Sequence, residues 1–223
     1  PTDIPTPSDP EFEAVSARFI IDALQVSGGG AFVLCTSFRL LRGLHRRVSE
    51  VLGDRFLLLR QGEMGRAKLL DAFRDSPDSV LFGTDSFWEG VSVKGNSLRL
   101  VIIPRLPFRV PTEPVQQARH ELLAAQGLDP FRAYSLPQAV LRFRQGFGRL
   151  IRTQSDRGAV LVLDPRVTRR WYGRIFVSSL PKMETIDAPG RVVLDHLARF
   201  YRNEPTGVED VVFGRALPPK TSH

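Results

Sequence analysis

The stretch LRFRQGFGRLIR, residues 141–152, combines an apolar helical pattern with several arginines and two glycines. On a helix of about 3.6 residues per turn, Gln145, Arg149 and Arg152 project from one face and the apolar residues from the opposite face. A glycine inside a helix costs about 1 kcal/mol relative to alanine, so a solvated arginine face explains the arginines better than the glycines. Gly148 lies beside the polar trio, where the missing side chain lets a bulky ligand approach the backbone. The pattern indicates a face built for a ligand, and arginine is favoured for bidentate contacts to phosphate.

A second candidate site, GTDSFWEGVSVKG at residues 83–95, directly follows a predicted strand. In open α/β sheets, ligands bind beyond the carboxyl ends of the strands, which is where this stretch begins. Its candidate ligand-binding residues are Thr84, Asp85, Trp88, Glu89 and Gly90. Trp88 has two interpretations, since a tryptophan in a loop either stacks on a nucleic-acid base or packs onto its own domain.

A third candidate site lies in FVLCTSFRLL, residues 32–41, where a predicted strand is followed by Thr36, Ser37 and a basic helix. Hydroxyl groups and the free N–H groups of a helix start can bind a phosphate. Alternatively, Ser37 is an ordinary N-cap after a core strand. Further arginines of the same helix extend a basic surface, although such runs are often only solvated faces.

The elements that position these residues alternate along the chain. Short apolar runs predict buried strands at 31–36, 55–60, 79–84, 98–104 and 158–164. Helical spacing predicts helices at 11–27, 37–52, 64–76, 114–125, 136–152, 168–179 and 190–202. Strands that alternate with helices in this way predict an α/β fold with a doubly wound, mainly parallel sheet covered by helices on both faces. The triplet Gly28–Gly30 lacks the Lys–Ser/Thr pair of a phosphate loop and predicts only a helix stop.

Composition narrows the class of protein. The 223 residues carry a formal net charge of +7, which favours an anionic partner. No stretch approaches the length of a membrane span, so no membrane partner is expected. The single Cys35 excludes an internal disulfide and indicates a reducing, cytoplasmic location, and the four scattered histidines predict no metal site. We expect an interdomain connection at 1–10, one domain at 11–204 and a flexible tail at 205–223.

The motifs together resemble a known family. QGFGRLIR has the form Q-x-x-G-R-x-x-R, the sixth motif of superfamily 2 helicases, and the stretch around it is similar to the XPD/DinG group. Residues 83–95 resemble the fifth motif of that family, except that Ser92 stands at a position that is usually acidic. Residues 32–41 resemble the fourth motif more weakly. The resemblance covers most of residues 1–182 and implies a RecA-like domain, the second motor domain of a helicase.

The resemblance also implies roles for the candidate residues. Catalysis would belong to Gln145, Arg149 and Arg152, with the two arginines acting as fingers on the transferring γ-phosphoryl group of ATP. Nucleotide contacts would come from Asp85, Glu89, Gly90 and Gly148. Contacts to single-stranded DNA would come from Thr36, Ser37, Thr84 and Trp88.

The sequence lacks two motifs that a complete helicase motor needs. No G-x-x-x-x-G-K-[ST] loop and no apolar strand ending in Asp–Glu is present, so ATP and Mg²⁺ would be shared with an N-terminal RecA-like domain outside this chain. An iron–sulfur cluster is conceivable only in that missing part. We expect this chain alone to be inactive. Two alternatives remain open: a nucleic-acid-binding module without catalysis, and a superfamily 2 motor that acts on RNA.

Overall fold

The computed structural model describes residues 1–84, 87, 98–109, 114–148, 150 and 157–203. Five parallel strands form one sheet in the order β2-β3-β1-β4-β5. The strands are β1 (Ala31–Leu34), β2 (Leu58–Arg60), β3 (Val80–Gly83), β4 (Leu100–Ile103) and β5 (Ala159–Val162). The predicted fold class is confirmed, because all five predicted strands are present and pair in parallel.

Eight helices belong to the part of the chain that the structure describes. They are α1 (Phe12–Ser27), α2 (Phe38–Leu52), α3 (Arg66–Asp75), α4 (Pro114–Ala125), α5 (Leu136–Phe147), α6 (Arg166–Arg169), α7 (Gly173–Ser178) and α8 (Gly190–Tyr201). One π-helical turn, Phe131–Ser135, leads directly into α5. None of these helices is long and apolar enough to cross a membrane.

The strands are continuous apolar runs because helices bury both faces of the sheet. In β1 the side chains alternate between two cores: Ala31 and Val33 face one, and Phe32 and Leu34 face the other. Helices α1, α2 and α8 cover the first face, whereas α3, α5 and α7 cover the second. Cys35 is completely buried, and burial raises the pKa of its thiol, so the structure confirms it as a core residue.

The helix stop predicted at the glycine triplet is confirmed. Gly28 ends α1 in the left-handed conformation with φ of 67°, and its N–H donates to the carbonyl of Leu24. Gly29 follows with φ of 79°, so the chain reverses through backbone conformations that other residues rarely adopt.

Two helix predictions were wrong in extent. The helix predicted at 136–152 ends at Phe147, where two glycines within three residues weaken the last turn. The helix predicted at 168–179 is divided into α6 and α7, with Arg170 in an extended conformation between them. The other helices lie within two residues of their predicted bounds.

The first ten residues pack against the domain. Ile4 is buried in the core that α1 and α8 share. The carboxylate of Asp3 accepts a hydrogen bond from the N–H of Gly190 at the start of α8 (2.8 Å), and the N–H of Thr2 donates to the carbonyl of Ala188 (2.9 Å).

Candidate functional site

The carboxyl ends of all five strands meet at one edge of the sheet, as parallel pairing requires. Hydrogen bonds extend the ladder past the strands: the N–H of Cys35 donates to the carbonyl of Gly83 (2.8 Å), and that of Leu163 donates to the carbonyl of Ile103 (3.0 Å). The chain segments at 35–37, 61–62, 84, 104–109 and 163–166 therefore lie side by side. We call this region the carboxyl edge.

Helix α5 carries the part of the sixth-motif stretch that the structure describes. Phe143 and Phe147 are buried, which confirms the apolar face predicted for this helix. Gln145 is half-buried, and its Oε1 atom is buried without a hydrogen-bond partner among the described residues. A buried acceptor without a donor costs about 1–3 kcal/mol, so Gln145 has a reason to accept a bond from a ligand or a water. Arg149 and Arg152 lie outside the described residues.

Gly148 is a helix-terminal residue rather than an interior one, which corrects its predicted setting. It is the C-cap of α5, with φ of −64° and ψ of −3°, and its N–H donates to the carbonyl of Arg144 (2.8 Å). It is exposed, as the predicted approach of a ligand requires. A Cβ atom at this position would lie 3.3 Å from the Arg144 carbonyl oxygen, so the backbone here is already crowded on one side.

Ser37 is the N-cap of α2. Its hydroxyl oxygen accepts a hydrogen bond from the N–H of Leu40 (3.2 Å), and its backbone is extended. This bond occupies one of the four N–H groups that a helix start leaves unpaired, and the remaining ones stay available to an anion. Thr36 is half-buried beside it. The N-cap interpretation of Ser37 is thus confirmed, and contact with a phosphate stays a prediction.

Thr84 is buried at the end of β3 and hydrogen-bonded to the residue that follows β2. Its N–H and its hydroxyl group both donate to Oε1 of Gln61, at 2.6 Å and 3.0 Å. Both donors of Thr84 are therefore engaged within the domain. Asp85, Trp88, Glu89, Gly90 and Ser92 lie outside the described residues, and their predicted roles stay predictions.

Sequence reasoning missed an ion pair between Asp164 and Arg166 after β5, and the hydrogen bond that joins Asp164 to the proline-rich loop after β4. Asp164 is fully buried, and its carboxylate accepts hydrogen bonds from the N–H of Leu106 (2.9 Å) and from the guanidinium of Arg166 (2.6 Å). Burial alone would lower the pKa of Arg166, but its hydrogen bonds to Asp164, the charge of that carboxylate and the nearby Tyr172 together outweigh burial and raise it. A signal was present in the sequence, since an aspartate that ends an apolar strand before a proline, as in VLDPR, is rarely buried without a partner.

Arg105 is a second cationic side chain at the carboxyl edge. Its guanidinium stacks over the ring of Phe12 (4.9 Å to the ring centre) and donates to the carbonyl of Pro7 (2.9 Å). Burial and the nearby charge of Arg166 lower its pKa. Arg105 therefore ties the first residues of the chain to this edge and adds positive potential to it.

Sequence reasoning also missed a cluster of aromatic rings next to the proline-rich loop. Phe108, Phe131, Trp171 and Tyr172 contact one another with ring centres 5.4–6.4 Å apart, and we call them the aromatic surface. Trp171 is 55% exposed, and the guanidinium of Arg132 lies 4.9 Å from its ring centre. Exposed rings beside arginines are typical of surfaces on which nucleic-acid bases stack.

A large cavity lies elsewhere. It has a volume of about 620 Å³ and runs beside β5 between α5, α8 and the connection that precedes α8. Its described lining is mainly apolar and includes Phe147, Val160, Met183 and Leu197, but none of the predicted site residues. Within the described ranges, no group of three or more His, Cys, Asp and Glu side chains could hold a metal ion.

Comparison with known proteins identifies a family and several relatives of this chain. The model of the helicase C-terminal domain family matches residues 20–183. An ATP-dependent DNA helicase YoaA from Haemophilus influenzae is 45% identical over 164 residues, which cover 74% of this chain and 25% of that protein. A 3'-5' exonuclease DinG from Bacillus subtilis is 41% identical over 175 residues, which cover 77% of this chain and 19% of that protein.

A solved structure of an XPD helicase has a similar fold. It matches 82% of this chain and 34% of its own, with a TM-score of 0.59 at 17% sequence identity. At this identity the likeness shows the RecA-like fold alone. The chain spans about a quarter or less of the length of the two curated relatives above.

Proposed function

This chain belongs to the helicase C-terminal domain family and is the C-terminal domain of a DinG/XPD-like helicase. From that premise we propose that it is the second motor domain of an ATP-dependent DNA helicase. ATP and Mg²⁺ would bind mainly on an N-terminal RecA-like domain, because this chain has no phosphate loop. The observation that carries the proposal is the Q-x-x-G-R-x-x-R stretch, which begins in α5. The apolar face of this helix is buried, and Oε1 of Gln145 has no hydrogen-bond partner among the described residues.

The residues of α5 and of the chain after it fit a nucleotide. ATP supplies the phosphoryl group that is transferred to water. Arg149 and Arg152 would stabilise the negative charge that develops on that group, and arginine fingers of this kind are worth roughly 10³–10⁵ in rate. Gln145, whose Oε1 has no hydrogen-bond partner among the described residues, would contact that phosphoryl group or help to orient it. Gly148, Asp85, Glu89 and Gly90 would line the same cleft.

A single DNA strand would run along the carboxyl edge. The free N–H groups at the start of α2, with Thr36 and Ser37, would hold a phosphate. Trp88 and the aromatic surface would stack on bases, and Arg105, Arg132 and Arg166 would supply positive potential. Opening and closing of the cleft would then move this edge along the strand relative to the N-terminal domain.

The full-length protein gives the direct test through Arg149→Ala. We expect DNA-stimulated ATP hydrolysis to fall by about 10³-fold or more, while the affinity for single-stranded DNA stays close to normal. Arg144→Ala is the matched control, because Arg144 is exposed on the same helix and belongs to no proposed contact. Loss of DNA binding with intact hydrolysis in Arg149→Ala would contradict the proposal.

A nucleic-acid-binding module without catalysis is the second candidate. The aromatic surface favours it, because this surface needs no ATP to bind nucleic-acid bases. Such a module would bind DNA with the same affinity with and without ATP, and Gln145, Arg149 and Arg152 would be replaceable. Hydrolysis by this chain joined to its N-terminal half, but not by the chain alone, would exclude this candidate. Competition between single-stranded DNA and RNA in the same assay would separate a DNA motor from an RNA motor.

A further inference from the structure

Gln61 accepts two hydrogen bonds from Thr84 at the carboxyl edge. The N–H of Thr84 lies 2.6 Å from Oε1 of Gln61, and the hydroxyl oxygen of Thr84 lies 3.0 Å from the same atom. The two residues are 23 positions apart in the chain, one after β2 and the other after β3. One amide oxygen therefore fixes both the backbone and the side chain of Thr84.

The backbone at Gln61 is held in place by its own surroundings. Its N–H continues the sheet ladder by donating to the carbonyl of Phe82 (2.9 Å). The turn that follows is closed by Glu63, whose carboxylate accepts from the N–H of Arg60 (3.2 Å) and from its guanidinium (3.0 Å). Gly62 has φ of 99°, which lets the chain leave the sheet at once. Gln61 is therefore prearranged to receive the two donors.

Thr84 is also fixed by its contact with Phe87. Its carbonyl accepts a hydrogen bond from the N–H of Phe87 (2.7 Å), and the ring of Phe87 is buried against Gly83. A Cβ atom at position 83 would lie 2.8 Å from the Cβ of Phe87, so only glycine fits there. The start of the fifth-motif stretch thus has a defined geometry in which both donors of Thr84 are taken, and neither is left for a DNA phosphate.

We propose that Gln61 is a positioning residue that sets the fifth-motif stretch through Thr84 and thereby couples DNA binding to ATP turnover. In this arrangement Thr84 fixes the start of the fifth-motif stretch and does not donate a hydrogen bond to the DNA strand. The role rests on the proposed function, because it assumes that residues 83–95 link the nucleotide cleft to DNA.

The test is DNA-stimulated ATP hydrolysis by the full-length protein, measured against the concentration of single-stranded DNA. In Gln61→Ala the two donors of Thr84 lose their acceptor, and we expect the stimulation by saturating DNA to fall about tenfold while hydrolysis without DNA stays unchanged. Gln61→Glu keeps an oxygen acceptor and should recover most of the stimulation. Gln61→Asn keeps the amide but shortens its reach by one methylene, so it should show the same loss in a protein that folds.

A variant at the opposite end of β3 controls for stability. Ser79 is fully buried, and its hydroxyl group donates to the carbonyls of Phe73 (3.1 Å) and Ser76 (2.6 Å). Ser79→Ala therefore removes comparable buried hydrogen bonds away from the carboxyl edge, and its stimulation by DNA should equal that of the wild type. Thr84→Val removes the hydroxyl donor alone, and combining it with Gln61→Ala should cause no further loss.

Normal stimulation in both Gln61→Ala and Gln61→Asn would overturn the role of Gln61. An equal loss in Ser79→Ala would also overturn it, because the effect would then follow stability rather than position. If the wild-type protein itself showed no stimulation by DNA, the proposed function would fail first, and that result is distinguishable from either of the others.

Discussion

At the scale of single residues, the buried carboxylate of Asp164 joins two segments of the carboxyl edge. It holds the N–H of Leu106 and the guanidinium of Arg166 together, and the latter lies 5.6 Å from the ring centre of Phe108. In Asp164→Asn the positive charge of Arg166 loses its partner. Removing one member of a buried pair costs about 3–5 kcal/mol, and since the Arg166 side chain is 30% exposed and can regain water, we expect about 2–3 kcal/mol. Urea unfolding of the chain measures this difference in the free energy of unfolding.

Asp71→Asn is the comparison for that measurement. Asp71 pairs with Arg74 on the surface, where its side chain is 64% exposed, and such pairs contribute less than about 1 kcal/mol. Equal losses in the two variants would show that Asp164 is not the buried anchor described above.

The contacts of Asp164 and of Gln61 show why the sequence predicted the location of the site but not its internal bonds. The sequence placed Thr84 at the carboxyl end of a strand, where ligands of parallel sheets bind. Gln61 lies 23 positions from Thr84, and Leu106 lies 58 positions from Asp164, so no local pattern could pair them, whereas Arg166 is only two positions from Asp164. Trp171 was missed for the same reason, since its neighbour Phe131 belongs to a distant segment.

At the scale of elements, the turn between α1 and β1 depends on the close approach of two backbones. A Cβ atom on Gly29 would lie 2.0 Å from the carbonyl oxygen of Asp78, and its φ of 79° already disfavours any other residue. We expect Gly29→Ala to destabilise the chain by about 3 kcal/mol or more, because the strained conformation and the collision add. Thermal unfolding followed by circular dichroism measures the change.

Gly127→Ala isolates the contribution of the conformation. Gly127 has φ of 73°, but a Cβ atom added there would have no other atom within 4 Å, so only about 1 kcal/mol of backbone strain should result. If Gly29→Ala proved no worse than Gly127→Ala, the backbone contact with Asp78 would not limit this turn.

The elements that were predicted best are those whose signals are local. The buried strands are apolar runs, and α4 begins at Pro114 and ends at Ala125 as predicted, because proline suits a first helical turn and Gly127 follows its end. The end of α5 was missed, since apolar spacing continues to Ile151 although the helix stops at Phe147. The break between α6 and α7 was missed as well, because the helical spacing continues through Arg170, and Gly173 at the start of α7 was not taken as a helix boundary.

At the scale of the whole molecule, the net charge of +7 and the aromatic surface predict two separable contributions to DNA affinity. Contacts between arginines and phosphates release counterions, so they weaken as salt rises, with a slope of about −0.7 per phosphate for single strands in a plot of log affinity against log salt. Stacking of bases on aromatic rings contributes about 1–3 kcal/mol per base and depends little on salt. The two contributions can therefore be told apart by a titration at several salt concentrations.

Trp171→Ala tests the stacking contribution in that titration, because Trp171 is the most exposed ring of the aromatic surface. We expect the affinity of the full-length protein for single-stranded DNA to fall at least about fivefold at every salt concentration, with an unchanged slope, since a stacked base and not a phosphate contact is lost. Leu122→Ala, which removes a side chain that is 60% exposed on α4, should change neither quantity. A shallower slope in Trp171→Ala would mean that the ring acts by holding Arg132 against a phosphate, and unchanged affinity would place the DNA strand away from the aromatic surface.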